Sequence, residues 1–323
     1  MQQTGGDKKA KVLLVVDYTT NWYAKFAKAT LRDGTPIRVE QTEWKDMNVE
    51  ASSEEGAVVH LKASENPLPF STQKEERTVR PDFMLVRNFP GDLHDSSFKN
   101  MVVGLLFGNV PAVNTIESIY RCMDRPVVYA EMLKIQRKLR KEGLDFPIIP
   151  MNYYPNLRAS TQQLLSPSFP AVIKVSSTHA GYGKIQAKDA KEMQDVQCVL
   201  ALHSDYYTAE PFVPHEYEYR IQKIGNHYRG FRRNSDSHWK NNWGALQFED
   251  HPLTELDKRW ADEAGLLFGG LDILALDVLH KEDGTNVILE LNDTANGLCS
   301  SSSVFFSFFL NFLLLVLKQR FNV

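Results

Sequence analysis

The 323-residue chain lacks most of the features that assign a protein quickly. Its three cysteines, Cys122, Cys198 and Cys299, are odd in number and far apart. That spacing excludes a disulfide framework and a thiolate zinc pattern, and it points to a reducing compartment. The formal net charge is only −3, so no basic field draws the chain to nucleic acid and no such partner is expected. Residues 1–11 are polar and lack the apolar core of a secretion signal, which makes the cytosol the expected compartment. No apolar run reaches the roughly 20 residues of a membrane-spanning helix. The longest such run, VFFSFFLNFLLLVL over residues 304–317, is broken by Ser307 and Asn311. It is read as a core helix, a tail anchor or an atypical end rather than a span. There is neither a Walker A loop nor a dinucleotide fingerprint.

What is present is an α/β pattern. Residues 11–17 (KVLLVVD) form a continuous apolar run ending in a carboxylate, the mark of a buried parallel strand. A helix follows near residues 22–29, and strands are expected at 37–41, 82–87 and 110–114. Helical segments between them predict a Rossmann-like parallel sheet. The polar stretch 48–80 is read as a short hairpin and a loop. Asp124 is placed to cap a helix with Pro126 in its first turn, carrying an apolar stripe at Val128, Met132, Ile135 and Leu139. Beyond a turn-rich stretch at 154–168 the pattern becomes α+β. Strands are expected at 171–175, 184–188, 208–213, 218–224, 227–233, 271–279 and 286–292, with a helix at 189–202. The expected division is a flexible N-terminus (1–10), a first domain (11–115), a second domain (116–298) and an atypical hydrophobic tail (299–323).

Four groups of residues carry chemistry. In the first, Asp283-Gly284 is a two-residue hairpin signal. If it forms the turn, Asp277 and Glu290 lie directly opposite on one face, with Cβ atoms roughly 5 Å apart. Asn292 shares the face of Glu290. Three oxygen donors around one point suit a hard divalent cation such as Mg²⁺. The second group is the loop between Lys174 and Lys184, which contains Gly181 and Gly183. Its backbone N–H groups and two ammonium charges can fold over phosphates. Third, the strand ending at Glu210-Pro211-Phe212-Val213 runs into a proline that cannot donate to a ladder. It therefore leaves an edge for a purine. The fourth is a basic set, Arg220 and Lys223 on one strand and Arg232 and Arg233 on the next, followed by a polar loop with Lys240. These cations suit phosphate or an anionic substrate. Lysine, loop, lysine, hinge, arginine strand and carboxylate hairpin come in the order of an ATP-grasp module.

These stretches resemble the central domain of the synapsins. The resemblance is carried by KVLLVVD, IRVEQTEW, RPDFMLVRN, VPAVNTIESIY, FPAVIK, AGYGK, AEPFV, YRIQKIGNHY, WKNNWG and FGGLDILALDVL, and it spans residues 11–291. It implies a pre-ATP-grasp domain followed by an ATP-grasp domain, with ATP held between two sheets. Lys174 and Lys184 would contact phosphate, Glu210 and Val213 the purine, and Arg220 and Lys223 the phosphate side. Glu218 replaces a family aspartate near the nucleotide, and Arg125 replaces a nucleotide-contacting lysine. Asp277 and Glu290 would ligate Mg²⁺ or Ca²⁺. The loop reads THAGYGK where the family has AHSGMGK. The ending Glu290-Leu291-Asn292 is similar to the Glu-x-Asn of catalytic ATP-grasp enzymes. After residue 298 the resemblance stops, and the apolar tail replaces the family's charged closing helix.

The resemblance implies an ATP- and metal-binding protein peripheral to synaptic vesicles, regulating neurotransmitter release. A vesicle surface, the cytoskeleton and a second copy of the chain would be its partners. The alternative is an ATP-grasp carboxylate–amine ligase working through an acyl phosphate. A third reading, an incomplete isoform, follows from the tail and predicts poor solubility.

Overall fold

A computed structural model describes residues 9–63, 75–91, 97–155, 165–177, 182–202, 204–234, 247–297 and 303–321. Strand β1 (Lys11–Val16) is buried on both faces. Leu14 and Val16 enter one core, Leu13 and Val15 another, which is why the strand reads as an unbroken apolar run. Helix α1 (Trp22–Phe26) is capped by the Asn21 side chain, which accepts from the Ala24 N–H. Strand β2 (Ile37–Thr42) returns parallel to β1. Strands β3 (Met47–Ser52), β4 (Gly56–Leu61) and β5 (Arg77–Val79) make a separate antiparallel sheet. Then come β6 (Phe83–Val86), α2 (Lys99–Phe107), β7 (Ala112–Val113) and α3 (Ile116–Cys122). The parallel sheet has the order β2-β1-β6-β7.

In the second lobe, α4 (Arg125–Lys141) starts after Asp124 with a proline in its first turn. Val128, Met132, Ile135 and Leu139 are its buried stripe, at the spacing read from the sequence. Strands β8 (Asn152–Tyr154), β9 (Ala171–Val175) and β10 (Lys184–Ala187) follow, with α5 (Ala190–Leu200) and β11 (Tyr207–Pro211). They build an antiparallel sheet in the order β10-β9-β11-β8. A five-stranded antiparallel sheet comes next, from β12 (Tyr217–Ile224), β13 (His227–Asn234), β14 (Gln247–Asp250), β15 (Ile273–His280) and β16 (Asn286–Asn292), in the order β14-β13-β12-β15-β16. Helix α6 (Glu255–Gly265) packs Trp260, Ala261 and Ala264 on one face of it, against Tyr219, Ile221, Leu274 and Leu276. Strand alternation turns Arg220 and Asp277 to the other face.

The apolar tail is helix α7 (Ser303–Phe321). Phe309, Leu313 and Leu317 are buried among Leu13, Val15, Trp22, Phe26, Ile224 and Ile273. Of the three readings of this segment, the core helix is the one that forms. It covers the second face of the parallel sheet and touches the five-stranded sheet at Ile224 and Ile273. Among the described residues, no helix is long and apolar enough to cross a membrane.

Candidate nucleotide and metal site

Asp277 and Glu290 pair across β15 and β16, and Asn292 pairs with Ala275. The route to that register differs from the one the turn predicts. Lys281 N–H donates to the Thr285 carbonyl, and Gly284 N–H to the Lys281 carbonyl. The loop therefore has three residues, Glu282, Asp283 and Gly284, with Gly284 at φ +78°, a type I turn closed by a left-handed glycine. Near the turn, His280 faces Asn286 and Val278 faces Ile288. A bulge at Leu289 then restores the pairing of Asp277 with Glu290. Two one-residue offsets cancel.

The site face of the sheet carries a row of alternating charge. Arg233 on β13 pairs with Glu218 on β12, and Arg220 pairs with Asp277 on β15. Arg220 grips Asp277 through two bonds, Nε to Oδ1 at 2.6 Å and Nη2 to Oδ2 at 2.7 Å. Arg233 Nη2 contacts Glu218 Oε1 and lies 2.8 Å from Asp277 Oδ1. Asn292 Nδ2 donates to Asp277 Oδ2 at 3.0 Å. Burial alone would raise the Asp277 pKa, but Arg220 and Arg233 hold it below its ordinary value.

The four-stranded sheet faces this row with lysines. Lys174 and Lys184 are directly opposite across β9 and β10, an arrangement that repels unless anions stand between. Glu210 supplies one, with Oε2 2.5 Å from Lys174 Nζ and both side chains buried. Burial lowers the Lys174 pKa despite that partner. Glu290 supplies the other. Its Oε2 is 3.9 Å from Lys184 Nζ and 3.8 Å from Arg125 Nη2. Burial would raise the Glu290 pKa, yet Lys184, Lys174, Arg125 and Arg233 together drive it far below the carboxylate range. The space between the sheets is a cavity of about 330 Å³, lined by Arg125, Lys184, Arg220, Arg233, Glu290 and Asn292 among others.

Strand β11 is not an edge strand of its sheet but is open on one side at its far end. Strand β8 pairs with β11 only over Tyr207–Ala209, so beyond Ala209 that side of the strand has no ladder partner among the described residues. Glu210 pairs with Val172 on the other side. The Val213 carbonyl lies 2.9 Å from His215 Nδ1. Gly183, just before β10, has φ +62°, and its carbonyl accepts from Val175 N–H at 2.9 Å.

Comparison with known proteins decides the family. The model of the family described as "Synapsin, ATP binding domain" matches residues 114–306, and that of "Synapsin pre-ATP-grasp domain" matches 6–112. The chain is 34% identical over 293 residues to Drosophila melanogaster synapsin, covering 89% of this chain and 28% of that protein. The chain belongs to the synapsin family. It spans between about a quarter and about half of the length of the curated relatives it matches. Among solved structures, the VanG D-Ala:D-Ser ligase of Enterococcus faecalis aligns at a TM-score of 0.61 and 13% identity, over 96% of this chain and all of that one. An ATP complex of D-alanine–D-alanine ligase from Bacillus anthracis aligns at 0.58 and 13% identity, over 97% and 98%. The fold of this synapsin-family chain is thus the ATP-grasp fold, with a parallel first sheet and antiparallel second-lobe sheets.

The structure gathers Arg125, Lys174, Lys184, Glu210, Glu218, Arg220, Arg233, Asp277, Glu290 and Asn292 around one cleft. Lys223 is not among them. It lies three residues from Arg220, so strand alternation puts it on the other face. There its Nζ contacts Asp262 Oδ1 at 2.5 Å and lies over the Tyr228 ring. Gly181 and Lys240 lie outside the described residues. Two residues not singled out from the sequence extend the row. Gln222 Nε2 donates to Asn296 Oδ1 at 2.6 Å and to the Gly297 carbonyl at 3.1 Å. The same parity that excludes Lys223 includes Gln222. Ser177, just after β9, borders the cleft and donates to Asp124 Oδ1 at 3.2 Å.

Proposed function

We propose that the chain binds ATP with a divalent cation in this cleft and acts as a nucleotide-dependent binding protein rather than as a dedicated catalyst. The supporting observation is Glu290, a carboxylate ringed by Arg125, Lys174, Lys184 and Arg233. A triphosphate offers those cations more negative charge than one carboxylate does. With phosphate satisfying those cations, Glu290 would be free to hold a metal.

The donor chemistry fits a hard cation. Asp277, Glu290 and Asn292 present oxygen atoms, and Mg²⁺ or Ca²⁺ takes oxygen ligands. Among the described residues no three His, Cys, Asp or Glu side chains cluster for a metal, so phosphate oxygens and the Asn292 amide complete such a set. Asp277 is engaged by two arginines and would join the set if those arginines paired with phosphate instead. The metal's contribution is charge neutralisation between phosphates. Family membership supports the wider role: a cytoplasmic protein, peripheral on synaptic vesicles, homodimeric, in contact with the vesicle surface and cytoskeleton, regulating neurotransmitter release.

Calorimetric titration of ATP into wild type and Glu290→Gln, with Mg²⁺, Ca²⁺ or chelator, tests this. Wild type should bind at least tenfold tighter with metal, and the variant should lose that dependence. Equal metal dependence in both proteins removes the site. The second reading, a carboxylate–amine ligase, is favoured by Glu290-Leu291-Asn292 with Asn292 bonded to Asp277. It predicts ADP release that depends on an added carboxylate and amine.

A further inference from the structure

Next to the nucleotide cleft is a second cavity, of about 440 Å³, at the carboxyl ends of β1, β2 and β6. In the order β2-β1-β6-β7 the chain leaves β1 for β2 on one side and returns to β6 on the other. The gap between β1 and β6 is the sheet's switch point, where open α/β sheets take ligands. Phe89 and Ala295 line both cavities, so the two share a wall.

The lining has a definite chemistry. Arg87 follows β6 and is 8% exposed. Its Nη1 and Nη2 donate to the carbonyls of Thr294 and Asn296. No carboxylate pairs with it within 4 Å among the described residues, and Asp17 and Asp293 act on it from further away. A buried guanidinium without a contact anion is a strong claim on one. Across the cavity, Glu43 carries negative charge and pairs with Lys45 at 3.1 Å, with Lys45 more than half exposed. The walls are aromatic: Trp44 stacks with Phe98 at 6.2 Å between centroids, and Phe89 closes the side shared with the nucleotide cleft. Asn88 is fixed in orientation because Tyr18 N–H donates to its Oδ1 at 3.1 Å. Asn88 itself lines the cavity.

We propose that this crevice binds a free α-amino acid with a large apolar side chain. The carboxylate lies toward Arg87 and Asn88, the ammonium toward Glu43, and the side chain against the wall formed by Trp44, Phe98 and Phe89. A zwitterion matches the lining better than a simple acid, because Glu43, Asp17 and Asp293 oppose uncompensated negative charge. The position places a carboxylate beside the cavity assigned to ATP, but the proposal does not depend on the nucleotide being bound.

Calorimetric titration of the full chain with phenylalanine and leucine tests it. Saturable binding is expected for wild type, weakened at least tenfold in Glu43→Gln, with ATP affinity unchanged by that substitution. The ligand series gives a check that needs no variant. 3-Phenylpropanoate lacks the ammonium and 2-phenylethylamine lacks the carboxylate, and each should bind wild type at least tenfold more weakly than phenylalanine. No saturation by either amino acid up to tens of millimolar, or equal affinity for all three phenyl compounds, overturns the proposal. ATP binding measured in the same preparation separates failure of the crevice from failure of the nucleotide cleft.

Discussion

One residue past Asn292, Asp293 is a carboxyl group with little water around it, 8% exposed. Burial pushes its pKa up to about 6 from 3.8, against the opposing pull of the Ala295 N–H and Arg87. The folded state therefore holds this proton more tightly than the unfolded one. Stability associated with the protonated form is fully present near pH 4 and is lost as pH rises through about 6. At neutral pH the charged form costs up to about 3 kcal/mol, from roughly two pKa units at 1.36 kcal/mol each. Asp293→Asn keeps the acceptor for Ala295 and removes the charge. Its unfolding free energy in urea should exceed that of wild type at pH 7.5, and the gap should close by pH 4. A gap constant across that range would mean that the charge of Asp293 is not what the substitution relieves.

Among the elements, α7 shows how much of the fold can be read from sequence. Its periodicity is weak because apolar residues surround the helix, so no polar face marks it as a globular element. Only its partners identify it: Trp22 meets the Phe309 ring at 5.8 Å, and Leu313 and Leu317 complete the same core. Phe309→Ala should cost about 3–5 kcal/mol in chemical denaturation, and ending the chain at residue 298 should cost more. A truncated protein as stable as the full chain would show that the helix does not belong to this core. The opposite case is α4, whose buried stripe and proline are local signals that the structure matches, although the Asp124 side chain makes no capping bond and is held by Ser177 and Lys99 instead. Helix α6 carries its own local signal, the Thr254–Asp257 capping box, visible in the sequence as T-E-L-D. The carboxylate hairpin lies between these cases. Its outcome is legible from Asp277, Glu290 and a turn glycine, but its three-residue loop and bulge are not. The sequence D-G-T suits either loop length, and only the backbone bonds from Lys281 to Thr285 and from Gly284 to Lys281 select three residues. Strand parity in the sequence already separates Lys223 from Arg220, and Lys223 pairs with Asp262 on the opposite face.

At the level of the whole molecule, the two lobes are joined by buried polar bonds as well as by the α7 core. The Asn114 side chain donates to the Ile273 carbonyl at 2.7 Å and accepts from its N–H at 2.8 Å. Thr294 Oγ1 donates to the Val86 carbonyl at 2.8 Å, next to the Arg87 contacts with Thr294 and Asn296. The loop that leaves the charged hairpin is thus anchored on the ends of the parallel sheet. An unpaired buried polar group costs about 1–3 kcal/mol, so opening one lobe without the other exposes several such debts together with the shared apolar core. The lobes should unfold as one unit. Ligand bound only to the folded form then stabilises every part of it equally. ATP with Mg²⁺ at a hundred times its dissociation constant should add about 2.7 kcal/mol to global opening. Hydrogen exchange should register that gain at β1 amides, remote from the phosphate lysines, as fully as at β15. A gain confined to β15 would show that the lobes open separately, and that the Asn114 and Arg87 bonds hold the cleft in place without coupling the two halves.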